Sequence, residues 1–285
     1  MKKYIFMAVA GMLALSSCSN EDNDIQDVQN APRQMTFTAG YNEGGVTRAT
    51  MDFSTKKVSF DANDEISILS TNNANVKFTT TAGGASATFS GTATAGDATY
   101  YAVYPYTAGL ALSGTTITGI VIPTNQWNDD LGEDMTFTEH SAWDPKAPIA
   151  FATTTGTSLQ FKNLCAILKV DFPNNGDAYK LTVDANEPLA GTFSLNTSTG
   201  TLTPTAGSTS VTVGGSDPWD PQISCYGARH AYVAIAPGTY TSFHVVAKEA
   251  MGEFIEGKRK ASATFEAGKI YSMGEFAPNP GTSDQ

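Results

Sequence analysis

The segment FKNLCAILKVDF (residues 161–172) makes every second residue apolar: Leu164, Ala166, Leu168, Val170 and Phe172 fall on one side. Period-two alternation puts those side chains on one face of a pleated strand, and predicts a strand with a single buried face. On this reading Cys165 belongs to the opposite face, with Lys169 and Asp171. The same alternation recurs in Tyr179/Leu181/Val183 and in Phe243/Val245/Ala247. Further out, MTFTA (35–39), EISILS (65–70), VKFTT (76–80), ATFSG (87–91), TYYAVYPY (99–106), ITGIVIP (117–123) and PIAFAT (148–153) read as short strands. They are punctuated by Gly, Asn, Asp and Thr. No helical periodicity is sustained between residues 35 and 276, so the chain is all-β.

About seven strands in each half, with turn signals about every 8 to 12 residues, favour β-sandwiches over a barrel or propeller. The small-residue stretch ATTTGTSL (152–159) is the expected boundary, dividing an N-terminal domain (35–154) from a C-terminal one (155–277). A long loop, TNQWNDDLGEDMTFTEHSAWDPKA, runs over residues 124–147, and loops of that length tend to be functional or mobile. Residues 278–285 read as a disordered tail by composition.

The 285 residues are 41% hydrophobic and 16% charged, enough to bury one core or two. A formal net charge of −11 and a pI near 4.6 argue against nucleic acid, because no basic stripe exists to neutralise phosphates. The densest basic cluster, GKRK (257–260), reads as a solvated strand edge or turn.

At the N-terminus, MKKYIFMAVAGMLALSSC has a basic start (Lys2, Lys3) and an apolar run from Tyr4 to Leu15. That run is short for a bilayer span and reads as a secretory signal, residues 1–17. Leu15-Ser16-Ser17-Cys18 resembles the bacterial lipobox, which implies cleavage before Cys18 and lipid on its thiol. Losing Lys2 and Lys3 would leave the mature chain at about −13. Residues 18–34 are polar and acidic, a flexible tether. Acidic residues just after a lipidated Cys also resemble the surface-export signal of lipoproteins in Bacteroidetes-type bacteria. With Cys18 consumed, Cys165 and Cys225 remain. Two free thiols are the expectation and a bridge between them the alternative.

Catalytic chemistry finds no constellation. His140, His230 and His244 are scattered without an H-E-x-x-H pattern, and GGSDP (214–218) lacks the last Gly of a nucleophile elbow. GEFIEGKR (252–259) has phosphate-loop spacing, but Arg259 stands where Ser or Thr would bind magnesium. The acidic clusters DANDE (61–65) and NDDLGED (128–134) do not fit calcium-loop spacing and read as solvated turns. No metal, no cofactor and no enzymatic activity are expected. Trp127, Trp143 and Trp219 lie in Pro/Asp/Asn-rich stretches read as loops. Exposed aromatics there could stack on sugars, so Trp127 and Trp143 are candidate glycan contacts; loop Trp residues that plug a sandwich are the alternative.

The order of features resembles the fimbrillin family of Bacteroidetes-type (type V) pili. It runs from the lipobox and acidic tether through MTFTAGYNEGGVTRAT, FDANDEISIL and YYAVYPY to LQFKNLCAILKV, AYVAIAPGTYTSFHV and TFEAGKIYSMGEF. The resemblance implies two tandem transthyretin-like β-sandwiches, export as an outer-membrane lipoprotein through Cys18, and assembly into surface fimbriae. It also implies a maturation protease of trypsin-like specificity, and partner subunits that add a β-strand where the first strand is removed. The chain has four arginines, Arg33, Arg48, Arg229 and Arg259. Arg48, after a candidate first strand and the loosening Gly44 and Gly45, is the expected cleavage site, leaving Ala49 as the new N-terminus. Against the family pattern, the chain is short for a major stalk subunit, and Pro278 and Pro280 interrupt any donor strand after IYSMGEF. Stalk, tip and anchor roles stay open. A stand-alone surface lipoprotein that binds glycans through its aromatic loops is the alternative reading.

Overall fold

Period-two segments become strands throughout the computed structural model, which describes residues 31–41, 50–52, 57–126, 140–144, 146–171, 178–214, 228–249 and 254–276. The chain opens with β1 (Pro32–Tyr41), β2 (Thr50–Asp52), β3 (Lys57–Ser59), β4 (Glu65–Ser70), β5 (Asn73–Thr80) and β6 (Ser86–Thr94). Then come β7 (Tyr100–Tyr104), β8 (Ala111–Ser113), β9 (Thr116–Ile122), β10 (Asn125–Gln126), β11 (His140–Trp143) and β12 (Ala150–Thr154). The second half adds β13 (Ser158–Asn163), β14 (Ala166–Asp171), β15 (Ala178–Ala185), β16 (Ala190–Asn196), β17 (Thr201–Ser208) and β18 (Ser210–Val213). It ends with β19 (Ala228–Ile235), β20 (Gly238–Tyr240), β21 (Phe243–Glu249), β22 (Phe254–Lys260), β23 (Ala263–Phe265) and β24 (Ile270–Glu275). No helix occurs among the described residues, and the all-β expectation holds.

Seven strands close into a barrel in the order β1-β13-β12-β7-β4-β5-β6, with β1 bonded to both β13 and β6. The arrangement is β-sandwich-like, and β1 bridges its two edges so that neither is left free. The barrel core is aromatic: Phe37, Phe60, Phe78, Phe89, Tyr104 and Phe161 are buried together.

Two-stranded ribbons β2–β3 and β20–β23 apart, the other strands form three sheets around a second core. Their orders are β10-β18-β15-β21-β22, β11-β19-β14-β24 and β17-β16-β9-β8. Pairing therefore does not follow a division at 154/155. The stretch expected to separate two domains is the turn of the β12–β13 hairpin, and both strands belong to the barrel. β9, β10 and β11, from the first half, pair instead with β16, β18 and β19 of the second, and β8 joins them through β9.

β4, β7 and β12 are the wall between the cores. Ala102 and Tyr104 point into the barrel, while Tyr101 and Val103 pack on the second core. Ala150 and Ala152 face one way and Phe151 the other, with its ring stacked on Tyr101 at 6.3 Å. A strand buried on both faces reads as a continuous apolar run, and loses the alternation that marks a half-solvated strand.

The strand β14 is buried on both faces over Ala166, Ile167 and Leu168 and opens to solvent at Lys169 and Asp171, which corrects the expectation for Cys165 just before it. Cys165 and Ile167 are fully buried rather than solvent-facing. The Cys165 Sγ accepts the Ile149 N–H at 3.4 Å, and burial pushes the thiol pKa up to about 12 despite that bond. Cys165 is a free thiol; Cys225 lies outside the described residues.

Candidate functional site

The feature that stands apart is β1 and the slot it fills. Pro32, which has no N–H to donate, opens the strand at Thr94, and nine residues from Pro32 to Gly40 pair antiparallel with β6. On its other side, Thr38 to Tyr41 pair in parallel with Ser158 to Phe161 of β13. The Thr38 N–H also reaches the Thr157 carbonyl at 2.8 Å.

Alternate residues enter the barrel. Phe37 and Ala39 have no exposed surface, and Met35 and Tyr41 pack at the two ends of the row. The Phe37 ring meets Phe78 edge-on at 5.4 Å and Tyr100 at 5.3 Å; Tyr41 stacks on Phe60 at 5.0 Å. Burying one such phenyl ring stabilises the fold by about 2–3 kcal/mol. Thr36 and Thr38, between them, face solvent. Without β1, the slot would present unpaired backbone on β6 and β13 above a floor of Phe78, Tyr100, Phe60 and Phe161. Opposite Met35, a Cβ on Gly91 would lie 2.7 Å from the Phe78 ring, so only glycine lets the ring seat under the slot.

The end where β1 begins is braced by a polar cluster that sequence reading does not single out. The Asn73 side chain accepts the Thr94 N–H at 2.7 Å and donates to the Thr94 carbonyl at 2.8 Å. Asp97 accepts from Ser70 Oγ at 2.6 Å, Asn72 at 2.8 Å and Asn73 at 3.0 Å. Its trace in the sequence is the Asn/Asp enrichment of the TNNAN and AGDAT turns, which marks turns and not their partners.

The other candidate residues are dispersed. Cys18, Arg48, Ala49 and Trp127 lie outside the described residues; residues 42–49 link β1 to β2. Trp143 is not in a loop, because its backbone pairs in β11 with Tyr232 of β19. In DANDE, Asp64 accepts the Tyr104 hydroxyl at 2.6 Å and the Asp61 N–H at 2.9 Å, and Glu65 pairs with Lys77 at 2.9 Å. NDDLGED lies outside the described residues, among which no group of three or more metal-ligating side chains occurs. His230 Nδ1 lies 2.6 Å from Asp171 Oδ1, which also pairs with Lys169 at 2.7 Å. That carboxylate, added to burial, holds the neighbouring Tyr232 hydroxyl well above its ordinary pKa, burial being the larger cause. The phosphate-loop spacing of residues 252–259 falls on strand β22, where no helix follows to receive a phosphate.

No protein-family model matches the chain, and no curated protein matches it. Solved structures do. A candidate cell adhesion protein from Bacteroides uniformis is 16% identical with a TM-score of 0.49, over 85% of this chain and 92% of that one. A second, from Bacteroides ovatus, is 15% identical with a TM-score of 0.47, over 86% and 92%. A fimbrial protein from Bacteroides ovatus is 12% identical with a TM-score of 0.39, over 84% of this chain and 48% of that one. The neighbours are candidate adhesion proteins and fimbrial proteins. These are the kinds of protein that the sequence resemblance names.

Proposed function

We propose that this protein is a structural or adhesive subunit of cell-surface fimbriae, assembled by exchange of its first strand. The observation that supports the reading is β1 itself, the first strand described, which seals a barrel through pairing on both sides and two fully buried side chains. A slot of that kind takes any extended segment with matching alternation, because main-chain bonds supply affinity and alternate pockets supply selectivity. Export as a lipoprotein on Cys18 and surface anchoring belong to the same proposal. So does a cut after Arg48 that frees β1 with the tether. Filling the slot until export protects two sheet edges from promiscuous pairing. The finer division into two transthyretin-like units also belongs here, with the first closing at β13 and the second drawing strands from either side of it.

The test is the Arg48→Ala protein in cells. It is expected to stay lipid-anchored and unpolymerised, while the parent matures to an N-terminus at Ala49. Normal maturation of the variant, read by N-terminal sequencing of surface material, would sink the assignment.

A further inference from the structure

The outer face of the five-stranded sheet has the opposite charge from the rest of the chain. Within β15 and β21, Leu181, Val183, Val245 and Ala247 turn into the core, so their neighbours Lys180, Thr182, Asp184, His244, Val246 and Lys248 turn out. Register then sorts the outward groups into rows. Lys180 lies directly opposite Lys248, and Asp184, His244 and Arg259 are in line across β15, β21 and β22. Between the lysine row and the mixed row of Asp184, His244 and Arg259 runs an uncharged one of Thr212, Thr182, Val246 and Gly257.

Among the described side chains, three cations and one carboxylate thus share this face on a chain of net charge −11. Among the described residues none of Lys180, Lys248 and Arg259 forms an ion pair. Lysines directly opposite each other bring their Cβ atoms to about 5 Å, a destabilising arrangement unless an anion sits over them. Electrostatic pressure is evident next door: burial and the Arg259 charge hold His244 below its ordinary pKa, with Asp184 opposing them. His244 and Lys248 are four positions apart along β21, so the lysine pair and the row that ends on Arg259 are about 13 Å apart. That spacing is too sparse for a duplex, which has one phosphate per about 1.7 Å, and the remainder of the chain would repel one. It suits a polymer with widely spaced anionic groups and hydroxyls between them.

We propose that the outer face of the β15–β21–β22 sheet binds an anionic polysaccharide, with Lys180, Lys248 and Arg259 on its charged groups and the Thr182 and Thr212 hydroxyls on the sugar between. The proposal is independent of strand exchange, since β1 contributes nothing to this face.

Dextran sulfate and neutral dextran of equal length, titrated into the full chain at several salt concentrations, test it. Dextran sulfate binds, with affinity falling as salt rises, and neutral dextran does not. Polygalacturonate in a parallel titration tells carboxylate from sulfate, and binding of either upholds the site. The Lys180→Gln/Lys248→Gln protein loses about tenfold in affinity and shows a shallower salt dependence. A Lys162→Gln/Lys269→Gln control, with the same charge change on exposed lysines elsewhere, stays within about twofold. The melting temperature of each variant, with Arg259→Gln as a second route to the same loss, separates binding from misfolding. Equal losses in the two double variants, duplex DNA binding as tightly as dextran sulfate, salt-sensitive self-association in place of binding, or no binding by the parent would each overturn the proposal.

Discussion

β1 and β24 are the first and last strands described, and each lies parallel to a neighbour, β1 to β13 and β24 to β14. They are held in different ways. β1 is bonded on both sides and sends two fully buried side chains into a closed core. β24 is the edge of its sheet, and none of its residues is fully buried; Phe276, just beyond it, is. A latch compensates. Lys258 Nζ donates to the Glu275 carbonyl at 2.5 Å and to the Met273 carbonyl at 3.3 Å, and sits 4.3 Å from the Phe276 ring centroid. Removing β1 would open two edges and an aromatic slot; removing β24 would open one edge. Burial secures the first strand, and polar bonds secure the last.

The sharpest way to break this comparison is to truncate one aromatic in each strand. Phe37→Ala is expected to lose about 3–5 kcal/mol in chemical denaturation, because its fully enclosed ring leaves a cavity. Tyr271→Ala, from a half-exposed ring packed on Phe265 at 4.9 Å, should lose about 1–2 kcal/mol. Equal losses would mean that β24 is as deeply anchored as β1.

The junction supplies a second test. Cys165 accepts a bond from Ile149 at the approach to β12, and its carbonyl accepts the Gly268 N–H just before β24. Its thiol has an ordinary pKa of 9.0 and about 12 when folded, so between those values the unfolded chain binds fewer protons than the native one. Stability from this group is therefore whole below pH 9, falls by about 1.4 kcal/mol per pH unit above it, and is gone near pH 12. Cys165→Ala should flatten that alkaline slope in pH-dependent denaturation. An unchanged slope would show that the junction opens to solvent before either strand lets go.

The smallest effect is expected at the latch. Lys258→Met keeps the apolar stem over Phe276 and removes the carbonyl bonds, at a cost of about 1 kcal/mol. Hydrogen exchange should quicken in β24 and stay unchanged in β1. Faster exchange in both strands would merge them into one cooperative unit.

Much of the fold was legible because alternation is a local signal. EISILS reads as a strand and is one over the same six residues, Glu65–Ser70. The PRQMTFTAGY strand is longer than the five-residue MTFTA, since pairing with β6 extends order back to Pro32 and pairing with β13 extends it on to Tyr41. Cys165 was misplaced for a physical reason: the face it shares with Lys169 and Asp171 is covered at one end only, and alternation does not show where the cover stops. The strand character of Trp143 was hidden in the same way, because a four-residue strand among Asp, Pro and Lys depends on a partner far along the chain for its ladder.

What the sequence determined by itself was local: all-β structure, the positions of most strands, and the inward face of those with one wet side. Period two says which way a side chain points and nothing about which strand lies alongside. Only the tertiary structure decided that β1 closes a barrel, that β8 to β11 cross to the second core, and that Lys180, Lys248 and Arg259 meet on one face. Those outcomes follow from non-local closure, in which a strand adopts the partner that buries its second face and bonds its last free edge.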